Sequence, residues 1–202
     1  MKDTFLTISS ESRGIYKDKG SKFMAFAYPV TSEGEAMEKL ELLRKKYFDA
    51  RHHCYAYRLG ANGERYRTND DGEPANSAGK PILGQLTARG VTNVLVVVVR
   101  YFGGILLGTG GLTQAYKQAA AAALANARIV KHALTENYQL SFDYQDMNHV
   151  LKVVKDMKLE YYGLDFNQNR ELYCTMNVKV KKDQSVQLKK MLEPFKSLKM
   201  VN

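Results

Sequence analysis

Arg100-Tyr-Phe-Gly-Gly-Ile-Leu-Leu-Gly-Thr-Gly-Gly-Leu112 places a cation at the end of an apolar run and five glycines directly after it. Residues of these types in this order suit anion binding. Glycines let backbone N–H groups come close to a ligand, and a following helix start adds unsatisfied donors and the positive end of a dipole. A guanidinium adds a two-pronged contact to phosphate. Arg100, Tyr101, Gly103, Gly104, Gly108, Thr109, Gly110 and Gly111 are therefore candidate anion or nucleic-acid contacts, with Lys22, Arg65, Arg67 and Lys80 as further charge. The stretch is not a P-loop, because Thr109 follows Gly108 where a nucleotide-binding loop needs Lys. Nor is it a dinucleotide fingerprint, since Thr113 stands where the third glycine belongs. The plainer structural reading is a tight strand-to-helix turn with close packing.

Three other groups of residues are chemically capable. Asp70, Asp71 and Glu73 share one loop, where carboxylates can hold Mg²⁺ or supply a general base. The spacing is not that of an EF-hand, because Arg67 occupies the place of the first ligand. The competing reading has these carboxylates capping the next helix or pairing with Arg100, Arg65 or Lys80. His52-His53-Cys54 alternates across a strand, so His52 and Cys54 share a face that His53 cannot join. With His132 and His149 the only other histidines, a full zinc site is not expected. Finally, Arg65 and Arg67 share one strand face with Tyr66 opposite; an exposed sheet carrying Arg and Tyr can bind single-stranded RNA through stacking and phosphate contact, the plainer reading being a solvated sheet face over a Tyr-filled core.

These residues need a scaffold. Thr4 to Ile8, Gly14 to Lys17 and Ser21 to Val30 read as strands. Ser32 to Glu35 is a capping box before a helix carrying Ala36, Leu40, Leu43 and Tyr47. His53 to Leu59 and Glu64 to Thr68 flank an Asn-Gly turn and form a hairpin. Pro81 suits the first position of a helix ending at Gly90. Val94 to Val99 lacks alternation and is expected to be covered on both faces. Leu112 to Ala127 reads as the next helix. Beyond it, Tyr138, Leu140, Phe142 and Tyr144 alternate; Met147, Val150, Leu151, Val154 and Met157 share a helical face; Leu159 to Phe166 is extended; and Leu172, Cys174, Met176, Val178 and Val180 alternate again. Asp183 caps a helix bearing Leu188, Met191, Leu192 and Phe195, and Leu198 to Val201 closes the module. The order β-α-β-β-α-β is ferredoxin-like.

The 202 residues carry 30 Lys and Arg against 21 Asp and Glu, a net +9. Residues 1–134 hold 19 basic and 12 acidic side chains, and residues 135–202 hold 11 and 9. Most of the positive field belongs to the first part, which permits a polyanionic partner without establishing one. No apolar run is long enough to cross a bilayer, no secretory signal opens the chain, and two cysteines make no disulfide framework; a cytoplasmic protein is expected.

The glycine-rich stretch closely resembles the signature of the YigZ/IMPACT family. Lys19 to Phe23, Ala50 to Ala56, and Asp70 to Pro74 with Ser77 to Pro81 follow that family's order, so the likeness covers most of residues 19–116. The resemblance implies an α+β protein of two domains. Residues 1–132 would have the fold of domain 2 of a small-subunit ribosomal protein. Residues 133–202 would form a ferredoxin-like domain similar to elongation factor domains III and V. It also implies a role in regulating translation, with RNA, the ribosome or a translation factor as partner. A non-enzymatic regulator is the first expectation, with no cofactor, no membrane and no small-molecule substrate, and with replacement of Arg100 by Ala weakening binding without unfolding. A protein–protein adaptor is a further possibility. The alternative is a phosphate- or nucleotide-handling enzyme like the GHMP kinases, with the glycines on a nucleotide and Asp70, Asp71 or Glu73 on Mg²⁺, although the Gly-Leu-Gly-Ser-Ser loop of those kinases is absent.

Overall fold

The computed structural model describes residues 3–167 and 173–201. The chain divides into two compact units, Thr4–His132, and the stretch from Ala133 onward together with the residues up to Asp3.

In the first unit the strands are β1 (Thr4–Ile8), β2 (Ser12–Asp18), β3 (Ser21–Pro29), β4 (His52–Leu59), β5 (Arg65–Asn69), β6 (Val94–Tyr101) and β7 (Ile129–Ala133). The helices are α1 (Glu33–Lys46), α2 (Gly79–Ala88) and α3 (Gly108–Ala125). Strands β2-β3-β6-β4-β5 form one antiparallel sheet, and β1 pairs with β7 in a small second sheet. Both faces of the large sheet are covered. Val94, Val96 and Val98 pack with Phe23, Cys54, Ile82, Leu86 and Tyr116 beneath α2 and α3. Leu95, Val97 and Val99 pack with Phe26, Tyr55, Tyr57, Ala36, Leu40 and Leu43 beneath α1. The unbroken valine run of β6 follows from this, because neither face meets water.

Local chemistry departs from expectation in a few places. At α1, the Glu35 N–H donates to Ser32 Oγ (3.2 Å), but the Glu35 carboxylate accepts from Thr31 N–H (2.7 Å) rather than closing back on Ser32. Helix α2 starts at Gly79, two residues early, so Pro81 sits inside the first turn, where its missing N–H is still not needed. Its end at Gly90 (φ +64°) is as expected. Helix α3 starts at Gly108 rather than Leu112, which puts Gly108, Thr109, Gly110 and Gly111 in its first turn.

The second unit comprises β8 (Thr135–Asp143), α4 (Met147–Asp156), β9 (Glu160–Asn167), β10 (Tyr173–Lys181), α5 (Lys182–Leu192) and β11 (Lys199–Val201). The sheet order is β11-β8-β10-β9, with antiparallel pairing in every neighbour pair. This is the ferredoxin-like arrangement. Tyr138, Leu140, Phe142, Cys174, Met176, Val178 and Val180 face Val150, Val154, Leu188 and Leu192. Asp183 lies inside the first turn of α5, and Lys181 holds the cap position. Leu172 lies outside the described residues.

Candidate functional site

The antiparallel register aligns the chemistry at one end of the large sheet. Arg100, near the end of β6, pairs across to Phe23 on β3 and His52 on β4. The β2–β3 turn, the Asp70–Ala78 loop after β5, the loop from Phe102 to Leu107 and the N-termini of α2 and α3 gather at this same end. Gly20 (φ +77°) and Gly103 touch backbone to backbone; a Cβ on Gly103 would overlap the Gly20 carbonyl carbon. The Gly103 N–H also donates to Ser21 Oγ at 3.1 Å. One role of the glycine stretch is therefore the close approach of two loops. Gly104 (φ +87°) and Gly108 (φ +69°) adopt left-handed backbone. Gly110 has neither reason, since the space beside it is open and its backbone is not left-handed. Leu107, at the cap position of α3, makes no side-chain capping bond, and Gly108, Thr109 and Gly110 are exposed.

Arg100 is not a surface cation. It is 6% exposed, and its Nη1 donates to Glu73 Oε1 at 2.6 Å. The Tyr116 hydroxyl donates to the same oxygen at 2.7 Å. The guanidinium lies over Phe23 (5.4 Å to the ring centroid) and Phe102 (5.7 Å), while its Nε has no hydrogen-bond partner. The single Cys54 S–H lies within reach of two acceptors, the Asp70 carbonyl at 3.0 Å and Tyr116 Oη at 3.3 Å. Burial pushes the Cys54 thiol well above its ordinary range, and burial likewise raises the Tyr116 hydroxyl. Neither is a nucleophile at neutral pH.

The three carboxylates have separate tasks. Asp70 accepts from the N–H groups of Asn76 (2.8 Å), Ala78 (3.0 Å) and Gly79 (2.8 Å), so it caps α2 from a distance. Burial pushes its pKa up, but the bonds from Gly79, Asn76 and Ala78, with the nearby Lys80 charge, bring it below the usual value. Asp71 (φ +44°) accepts from His53 N–H at 2.7 Å and Arg44 Nη2 at 3.2 Å. Glu73 holds Arg100 and Tyr116. Among the described residues, no three His, Cys, Asp or Glu side chains are grouped to hold a metal. The capping and Arg100-pairing alternative for these carboxylates is thus the arrangement found, with Arg44 rather than Arg65 or Lys80 as the second cationic partner.

His52 Nδ1 lies 2.8 Å from the Asp71 carbonyl. His53, on the opposite face, is buried with Nε2 unpartnered, and burial lowers its pKa. The Tyr101 hydroxyl donates to Asp49 Oδ1 at 2.7 Å, a bond that raises its pKa to about 12. Lys22 pairs across from Tyr101, and Lys80 is exposed in the first turn of α2.

Arg65 and Arg67 are elsewhere. They pair with Leu59 and Tyr57, whereas Arg100 pairs with His52. At ~3.3 Å per residue they lie roughly 15–25 Å farther along the sheet. They are also on the α1 face, opposite Arg100, because cross-strand partners share a face and Tyr57 and Leu59 pack under α1. Tyr116, the residue that joins Glu73 to α3, is not among the candidates that the sequence motifs supply. Its signal was a tyrosine on the apolar face of an alanine-rich helix, a hydroxyl that needs a partner when buried.

Fold and site define a two-domain α+β protein with a braced, glycine-rich loop at one end of its first sheet. The Impact N-terminal domain model matches residues 19–124, and the chain belongs to the IMPACT family. It is 33% identical over 151 residues to the IMPACT family member YvyE of Bacillus subtilis, covering 75% of this chain and 70% of that one. It is 39% identical to the IMPACT family member YigZ of Escherichia coli, over 65% of this chain and 66% of that one. The match to the Protein IMPACT homolog of Saccharomyces cerevisiae is 45% identical but covers 45% of this chain and 36% of the yeast protein. A crystal structure of a hypothetical protein superposes with a TM-score of 0.78 at 29% identity, covering 100% of this chain and 98% of that one. Among the described residues no helix is long and apolar enough to cross a membrane.

Proposed function

We propose that this protein regulates translation by docking its first unit on RNA, the ribosome or a ribosome-bound factor, through the sheet end where the glycine-rich loop and the first turn of α3 meet Lys22 and Lys80. The observation that carries the reading is the exposed first turn of α3, without a side-chain cap at Leu107, with open space beside Gly110. Membership of the IMPACT family supports it. Arg100 acts here as an internal brace for the loop, not as the contact itself. The phosphate-handling enzyme has no comparable support, because Asp70, Asp71 and Glu73 would each have to give up present partners to receive Mg²⁺. Co-sedimentation of the full chain with purified ribosomes and with ribosomal RNA, across a salt series, tests the proposal. Binding that falls steeply with salt and weakens in Lys22→Glu and Lys80→Glu is expected. Absence of binding to both at low salt overturns it.

A further inference from the structure

The loop that Arg100 braces presents aliphatic side chains to solvent. Leu106 is 82% exposed and Ile105 55% exposed, while Phe102 is half exposed with its ring against the guanidinium. The base of this loop is fixed by the Gly20–Gly103 contact, the Gly103-to-Ser21 hydrogen bond and the stacking of Phe102 on a buried, carboxylate-bound Arg100. Phe48, 84% exposed, reaches the same sheet end, because its neighbour Asp49 accepts from Tyr101. Leu106 and Phe48 are the two most exposed large apolar side chains among the described residues.

Leaving such side chains in water on an anchored loop costs the protein apolar burial that a partner can recover. The chemistry selects the kind of partner. Phe102 is held against Arg100, and Ile105 and Leu106 offer neither a ring to stack on an unpaired base nor a group to hydrogen-bond to its edge, the contacts by which single-stranded RNA is chiefly read. They fit an apolar pocket, and pockets of that kind are protein features. The flanks are cationic. Lys19 sits beside Gly20, Lys22 pairs across from Tyr101, and Arg51 precedes β4; none of the three makes an ion pair among the described residues. At this edge the Asp49 carboxylate is occupied by the Tyr101 hydroxyl.

We infer that the Phe102–Leu107 loop is a protein-docking knob: Ile105 and Leu106 enter an apolar pocket on a partner protein whose rim carries carboxylates facing Lys19, Lys22 and Arg51. This rests on the docking reading above and narrows it from "RNA or protein" to a protein surface as the principal contact. An apolar anchor with a charged rim is the usual division of labour at interfaces: the anchor sets the off-rate and the rim steers the approach.

The test uses the full chain and two probes, salt-washed ribosomes and the RNA extracted from them by removing protein. Leu106→Ser and Ile105→Ser are compared with the wild type, and a thermal melt confirms folding, which these exposed positions should leave unchanged. The expected result is a loss of about tenfold or more in ribosome affinity for Leu106→Ser, from the apolar area no longer buried. Affinity for the protein-free RNA stays at the wild-type level. Wild-type ribosome binding by the Leu106→Ser/Ile105→Ser double variant overturns the inference while leaving the docking reading intact. So does wild-type protein that binds the extracted RNA as tightly as the ribosome. Absence of binding to either probe removes the docking reading and the knob with it.

Discussion

Replacing Glu73 by Ala isolates the buried pair on which the candidate site stands. The Arg100 and Glu73 side chains are 7% and 3% exposed, and their closest atoms are 2.6 Å apart. At an effective dielectric constant of ~20 that separation corresponds to an attraction of about 6 kcal/mol. Dehydrating each ion costs several kcal/mol, so the intact pair is near balance against an apolar replacement. Removal of one partner is different, because the remaining charge keeps its dehydration cost and loses its counter-charge. Glu73→Ala should therefore destabilise the first unit by about 3–5 kcal/mol. The orphaned Tyr116 hydroxyl accounts for part of that range. Arg100→Ala should behave similarly, which revises the expectation that it weakens binding without unfolding. The double change Arg100→Met with Glu73→Leu should cost far less than the sum of the single changes. Urea unfolding, read alongside hydrogen exchange of the β6 amides, gives the coupling through a double-mutant cycle. A Glu73→Ala cost below about 1 kcal/mol, or additive single and double variants, would refute the reasoning.

Two further outcomes follow from the same geometry. Asp70→Ala should cost about 1–2 kcal/mol at neutral pH by uncapping α2. The folded pKa of Asp70 is depressed, so its contribution is complete above the unfolded value of about 4 and fades as pH falls through the lower folded value. Wild-type and variant urea midpoints should accordingly converge in acid, and a gap that stays constant down to pH ~2.5 would count against the capping role. Gly103→Ala should force the β2–β3 turn and the glycine-rich loop apart and expose amides on both; wild-type hydrogen exchange in Lys19–Ser21 would show that the close approach is dispensable.

Much of the fold was legible because short-range patterning fixed it. The valine run of β6 declared a strand covered on both faces. The alternation in β8 and β10 and the apolar face of α4 gave the ferredoxin-like order. Boundaries were less legible where glycine was involved. Gly108 to Gly111 read as loop because glycine disfavours helix, yet the residues enter α3, whose remaining turns and buried alanine face outweigh the local cost. Asp183 is of a type common at caps, but the cap position falls two residues earlier, at Lys181.

The sequence by itself determined the candidate elements, the excess of positive charge in the first part and the family, since each is written in local order or composition. It could not assign partners to charges. Arg100, Glu73 and Tyr116 are separated by 27 and 43 residues, and only the antiparallel register of β6 and the packing of α3 bring them to one oxygen. That register also moved Arg65 and Arg67 to the far part of the opposite face. Whether a cation is a free contact or a buried brace depends on its exposure and on which carboxylate lies within a few ångströms, and both are set by long-range chain closure rather than by neighbouring residues.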